Sequence, residues 1–184
     1  MKKLFVAAVA AATLSFAASA AHAQDTAPDG TSGFGFEPYV GVLGGYHSFD
    51  TFKDGPRMGN GRGNGALVGA VGGVNIPLGP VFVGAEGNVN KGFHEIDWEY
   101  GVAGRFGFRA GESGLIYGKA GYQWVNFDRG PKAKDMLYGV GVEVGPKDIG
   151  LGGLTGNSGV RLRLDMDTVD FKSIRPMAGV VMHF

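Results

Sequence analysis

The chain has 184 residues with 17 basic and 17 acidic side chains, so its formal net charge is zero with histidine neutral. That balance excludes a nucleic-acid binder driven by bulk charge, and the lack of cysteine excludes a disulfide framework. The 35 glycines, with no collagen-like period, and the 18% charged residues lie far from the roughly 7% and roughly 25% of ordinary soluble domains.

The basic start at Lys2 and Lys3, the apolar stretch from Leu4 to about Ala18 and the small-residue site Ala21-His22-Ala23 predict a cleaved signal peptide over residues 1–23. The competing reading, a helical anchor, is weakened by Thr13, Ser15 and Ser19. Residues 24–37, rich in Gly, Ser, Asp and Pro, predict a flexible N-terminal lead-in. No later stretch is apolar enough for a membrane helix, so any span must be made of strands.

From residue 38 to 184 the sequence alternates with period two between turn signals, predicting eight strands. They run from about Pro38 to Phe49, Ala66 to Ile76, Val81 to Asn90, Ile96 to Ala110, Leu115 to Phe127, Met136 to Gly145, Ser158 to Val169 and Ser173 to Phe184. These lengths suit the ~9 to 11 residues of a tilted membrane strand. Pro77 to Pro80 and Gly111 to Gly114 read as tight turns, whereas Asp50 to Gly65, Lys91 to Glu95 and Asp128 to Asp135 read as polar loops. Short turns at one end and longer loops at the other predict an all-β, eight-stranded antiparallel up-and-down transmembrane barrel with both termini in the periplasm. The link 146–157 is too long for a periplasmic turn and has no physical account in this scheme.

Alternation alone cannot say which face meets lipid, but charge can. In Val160 to Asp167 one face is wholly apolar and the other wholly charged. An Arg or Lys facing lipid at the midplane costs about 2 to 4 kcal/mol, so the charged face turns inward. Carried round the barrel, this parity points Tyr46, Trp98, Tyr100, Tyr122, Trp124 and Tyr138 outward at the extracellular level. It points Phe106, Phe108 and Phe184 outward at the periplasmic level, giving two aromatic belts around an aliphatic band. A secreted lipocalin-like barrel would instead expose the other face, which is mostly glycine with few charges and makes a poor soluble surface.

Inward parity collects Glu86, Glu99, Arg105, Arg109, Lys119, Glu143, Arg161, Arg163, Asp165, Asp167 and Arg175. Eight strands enclose a lumen that side chains can fill, and opposite charges forced into it should pair. Inward glycines such as Gly41, Gly69, Gly84, Gly101, Gly139 and Gly141 leave room for the long side chains. A largely plugged, charge-paired lumen is expected.

The leader, the eight alternating segments, Tyr39-Val40-Gly41, Val83-Gly84-Ala85-Glu86-Gly87 and the terminal Phe184 resemble the small outer-membrane β-barrel family. That family includes the transmembrane domain of OmpA, OmpX and the opacity-type surface antigens of Gram-negative bacteria. The resemblance implies a bacterial outer-membrane location and a C-terminal phenylalanine, here Phe184, read by the barrel-assembly machinery. Outer-membrane lipids, lipopolysaccharide and a host or environmental surface ligand are the implied partners, with no nucleic acid. OmpA itself continues into a periplasmic peptidoglycan-binding domain, and this chain stops at the barrel.

Other constellations have blander readings. Gly59 to Gly65 superficially resembles a phosphate loop, but no helix is predicted after it. Lys53, Arg57 and Arg62 in that loop could meet lipopolysaccharide phosphates. Asp165, Asp167 and Asp170 have a calcium-loop spacing, yet the first two share a face with Arg161 and Arg163, which favours ion pairs. His47, His94 and His183 show no metal-ligand spacing. His47 and Ser48 are adjacent on a strand and face opposite ways, which separates a base from a nucleophile. The expectation is therefore a monomeric surface protein in envelope integrity or adhesion, without enzymatic activity, metal or cofactor. A small porin-like channel for ions or small solutes is the alternative.

Overall fold

In the computed structural model, the residues described are 36–49, 64–94, 96–111, 114–127, 133–145 and 159–184. They form eight strands: β1 Glu37–His47, β2 Gly65–Leu78, β3 Val81–His94, β4 Ile96–Ala110, β5 Gly114–Phe127, β6 Ala133–Val144, β7 Val160–Val169 and β8 Arg175–His183. Each strand pairs antiparallel with its sequence neighbour, and β8 returns to β1 through Tyr39↔His183 to Gly45↔Met177, closing the barrel. Closure leaves no unpaired strand edge, the condition for β-structure in lipid. Among the described residues no helix is long and apolar enough to cross a membrane.

Local chemistry explains the hairpins. Between β2 and β3, Gly79 has φ +74° and the Pro80 ring holds φ negative, the combination of a two-residue II′ turn. Between β7 and β8, Asp170 and Phe171 have φ of 50° and 55°, and the Lys172 amide donates to the Val169 carbonyl at 2.9 Å. That is a I′-like turn made without glycine. Its backbone strain is offset in part by Phe171 stacking on Tyr138 at 4.8 Å.

Most strand ends lie within two residues of the sequence reading, but three segments change assignment. Glu37, placed in the lead-in, is the first residue of β1 and is buried. Lys91 to Glu95, read as a polar loop, is mostly strand: β3 extends to His94 and β4 starts at Ile96. The register shift between Ile96 and Trp98 makes a bulge at Asp97, so polar Lys91 and Asp97 form an ion pair at a strand end. Sequence polarity there marked a charged rim, which has the composition of a loop without its geometry. The β6 strand starts at Ala133, inside the segment read as loop up to Asp135. The leader, the glycine-rich stretch 59–63 with Lys53, Arg57 and Arg62, and the link 146–157 lie outside the described residues.

Burial alternates along the strands. On β7, Arg163 is 0% exposed and its neighbour Leu164 is 58% exposed. Tyr46, Trp98, Tyr100, Phe106 and Phe108 are exposed on the outside, while Tyr122, Trp124, Tyr138 and Phe184 are half-buried. Register puts Phe106 and Phe108 at the end of the barrel where the β2–β3 turn lies, and Trp98, Tyr100 and Trp124 towards the other. The Phe184 amide donates to the Pro38 carbonyl at 2.9 Å, extending the β8–β1 seam past His183.

Candidate functional site

Among the described residues the lumen gathers most of the polar chemistry. Alternation forces the inward residues of all eight strands into a space whose width side chains fill, so polar groups there must find one another. At the end nearest the β2–β3 turn, Glu37 accepts from Arg109 and Arg161, each at 3.0 Å, and faces His183 Nδ1 at 3.2 Å. The other ring nitrogen of His183 lies 2.7 Å from Glu143.

In the middle, Arg105 donates to Glu143 at 2.7 Å. Arg163 spans Glu86 with both terminal nitrogens, at 2.6 and 2.9 Å, and reaches Asp165 at 2.7 Å. Lys119 donates to Asp165 at 2.9 Å and sits 3.0 Å from Asp167. Tyr39 and Tyr117 complete this layer by donating to Glu86 at 2.7 Å and Asp165 at 2.5 Å. The Arg105 guanidinium lies against both rings, 4.8 Å from that of Tyr39 and 3.8 Å from that of Tyr117.

Towards the other end, Arg175 joins Asp167 at 2.9 Å and Glu99 at 2.8 Å, and Glu99 binds His47 Nδ1. His47 Nε2 is 2.8 Å from Ser173 Oγ, which also accepts the Val169 amide. Serine, histidine and glutamate in this order resemble a hydrolase relay. Here all three side chains are fully buried and Phe49 packs on the imidazole at 4.2 Å, so the trio acts as a tie between β1, β4 and the β7–β8 turn. Sequence adjacency pairs His47 with Ser48, whereas the fold pairs it with Ser173, 126 residues away.

All eleven charged residues assigned to the inward face lie in this chain of contacts. Glu37 is the missing twelfth: with it, six cations meet six carboxylates, where the sequence reading had six against five. Tyr39, His47, Tyr117 and His183 share that inward parity and could have been collected by it. Ser173, the first residue of the eighth predicted strand, has the parity of Arg175 and carried the same signal. Asp170, by contrast, is at the β7–β8 turn paired with Lys172, away from Asp165 and Asp167, so the calcium-loop spacing brings no third ligand. Among the described residues no group of three or more His, Cys, Asp or Glu could hold a metal.

The interior is not wholly polar. Leu43, Phe49, Leu67, Val71, Ile96, Val125, Met177 and Val181 form a buried apolar cluster on a face that the sequence reading described as mostly glycine with few charges. The inward glycines are set by space. A methyl on Gly141 would lie 2.5 Å from the Tyr117 hydroxyl, and one on Gly84 2.5 Å from Asn75 Oδ1. Gly141→Ala should therefore destabilise the barrel by about 1 to 3 kcal/mol through overpacking. Gly104→Ala on the outer face should stay within about 0.5 kcal/mol, the comparison being made by urea unfolding.

No family model and no curated protein matches the chain. Solved structures do. A de novo designed transmembrane β-barrel is similar at 15% identity and TM-score 0.50, covering 80% of this chain and 95% of that one. Ail, the attachment invasion locus protein of Yersinia pestis, in complex with the heparin analogue sucrose octasulfate, is similar at 16% identity and TM-score 0.50. That match covers 81% of this chain and 97% of Ail. At these identities the likeness is one of fold: the chain is a closed eight-stranded antiparallel barrel of the architecture these transmembrane barrels share.

Proposed function

We propose that this chain is a monomeric outer-membrane barrel whose lumen is plugged and whose work, envelope integrity or surface contact, is done by its rim and loops. The observation that carries the reading is the lumen itself. Six cations and six carboxylates pair inside, and an apolar cluster fills the space beside them. An eight-stranded barrel has little room beyond what its side chains occupy.

Membrane placement is supported by the outside. Among the described residues, twenty-two large hydrophobic side chains are exposed, including Val42, Val102, Phe106, Ile116, Val140 and Leu164. A soluble monomer rarely exposes more than a few hundred Å² of contiguous apolar surface, whereas lipid favours it. In this reading the predicted leader directs export, Phe184 is recognised by the assembly machinery, and lipopolysaccharide surrounds the loop end. The contact role has a structural parallel in Ail, which is named for attachment and invasion.

The channel alternative predicts a different measurement. Planar-bilayer recordings of the folded protein should show no steady conductance on the scale of open porins. Steady porin-sized openings would replace the plugged barrel with the small-solute channel.

A further inference from the structure

The outer surface is not uniformly apolar. On β3 to β5 one cross-strand row is made of small residues only, Ala85↔Gly104↔Ala120, and the next, Gly87↔Val102↔Tyr122, opens with a glycine. The rows on either side carry rings: Tyr100 stacked on Trp124 at 5.5 Å towards the loop end, and Phe106 against Phe108 at 5.8 Å towards the turn end. The depression between them has a volume of about 570 Å³ and is lined mainly by Ala85, Gly87, Val102, Gly104, Tyr122 and Met136.

Packing does not require its glycines. A Cβ added at Gly87 or Gly104 would meet nothing nearer than 3.8 Å, in contrast to the 2.5 Å contacts at inward Gly84 and Gly141. Outward Gly44 and Gly118 are equally open, so what sets Gly87 and Gly104 apart is that they floor this depression, where a strand-interior glycine leaves room for a close approach. Above the depression, Lys134 lies directly across from Trp124 and is exposed, and Lys91 stands 5.1 Å over the Trp98 ring while paired with Asp97. An apolar trough below an exposed cation and interfacial aromatics is complementary to a phosphorylated, acylated lipid.

We propose that this trough binds one acyl chain of lipid A, with a lipid A phosphate at Lys134. The inference rests on the outer-membrane reading above, in which the leaflet at the loop end is lipopolysaccharide. A second copy of the barrel does not fit: the flanking rings of Tyr100, Trp124, Phe106 and Phe108 would meet a convex partner before it reached the glycines, whereas a single chain can lie between them.

The two tryptophans, Trp98 and Trp124, stand at the rim and supply the probe. In a Trp98→Phe background, the mature chain is folded into vesicles of phosphatidylcholine with brominated tails, which quench Trp124 on contact. A few mole per cent of unbrominated lipid A should relieve this quenching well beyond its share of the lipid. The same amount of unbrominated phosphatidylglycerol should relieve it only in proportion. Gly104→Leu, which fills the trough, and Lys134→Gln, which removes the cation, should each abolish the excess. Gly44→Leu, outward on β1 with its added Cβ no nearer than 3.8 Å to other atoms, should retain it. Proportional relief by lipid A, equal relief by phosphatidylglycerol, or an excess that survives both Gly104→Leu and Lys134→Gln overturns the proposal. Trp124 left unquenched before any lipid A is added overturns the membrane reading itself, and the trough with it.

Discussion

Replacing Arg163 with methionine is expected to lower the stability of the folded barrel by about 3 to 5 kcal/mol, the cost of removing one partner from a buried ion pair. Arg163 is fully buried and holds Glu86 with two nitrogens and Asp165 with a third contact, at 2.6 to 2.9 Å. Its loss leaves Glu86 with Tyr39 at 2.7 Å and with Lys119 and Arg105 only at 3.6 Å. Methionine occupies much of the same volume and makes none of these bonds. Urea titration of the protein in vesicles measures the change. Because the cost comes from the stranded carboxylate, the double variant Arg163→Met, Glu86→Gln should recover part of it. A loss below about 1 kcal/mol, the scale of a solvated surface pair, would mean that water reaches the network and the lumen is open.

Leu164→Arg, the adjacent position, is expected to cost about 2 to 4 kcal/mol in a bilayer, because Leu164 points outward at mid-strand between Val142 and Ala178. Leu162→Arg, one pleat nearer the end of β7, should cost less, since the penalty falls towards the interface. On a water-exposed surface both substitutions would stay within about 0.5 kcal/mol. Insertion yield and unfolding free energy in vesicles separate the two outcomes, and a pair of near-zero values would place this face in water. The two neighbours thus fail for opposite reasons: Arg163→Met strands a charge in the lumen, and Leu164→Arg exposes one to lipid.

Strand count, order and facing were legible because they depend on a period-two pattern and on the sign of one energy. The run Arg161-Leu162-Arg163-Leu164-Asp165 orients its own strand, and register carries that orientation to each neighbour. Boundaries at strand ends were less legible. Lys91 and Asp97 are polar whether they sit in a loop or pair across a bulge, and Glu37 has the composition of the segment before it. The inward set was read from charge alone, which passed over Tyr39, Tyr117, His47 and His183, whose parity was the same.

By itself the sequence determined that strands alternate between an apolar and a charged face and that the charged face must be enclosed, since both follow from spacing and from the cost of bare charge in lipid. Which charge meets which was decided only by the tertiary structure. Glu37 joins Arg161 across 124 residues, and Arg163 joins Glu86 across 77. These partners are set by barrel closure and cross-lumen reach, which no local pattern encodes. The glycines divide the same way: parity in the sequence separates outward Gly87 and Gly104 from inward Gly84 and Gly141, but it gives no surface shape. Only the closed barrel shows which side chains fill the space at Gly84 and Gly141, and that Gly87 and Gly104 border a trough facing outward.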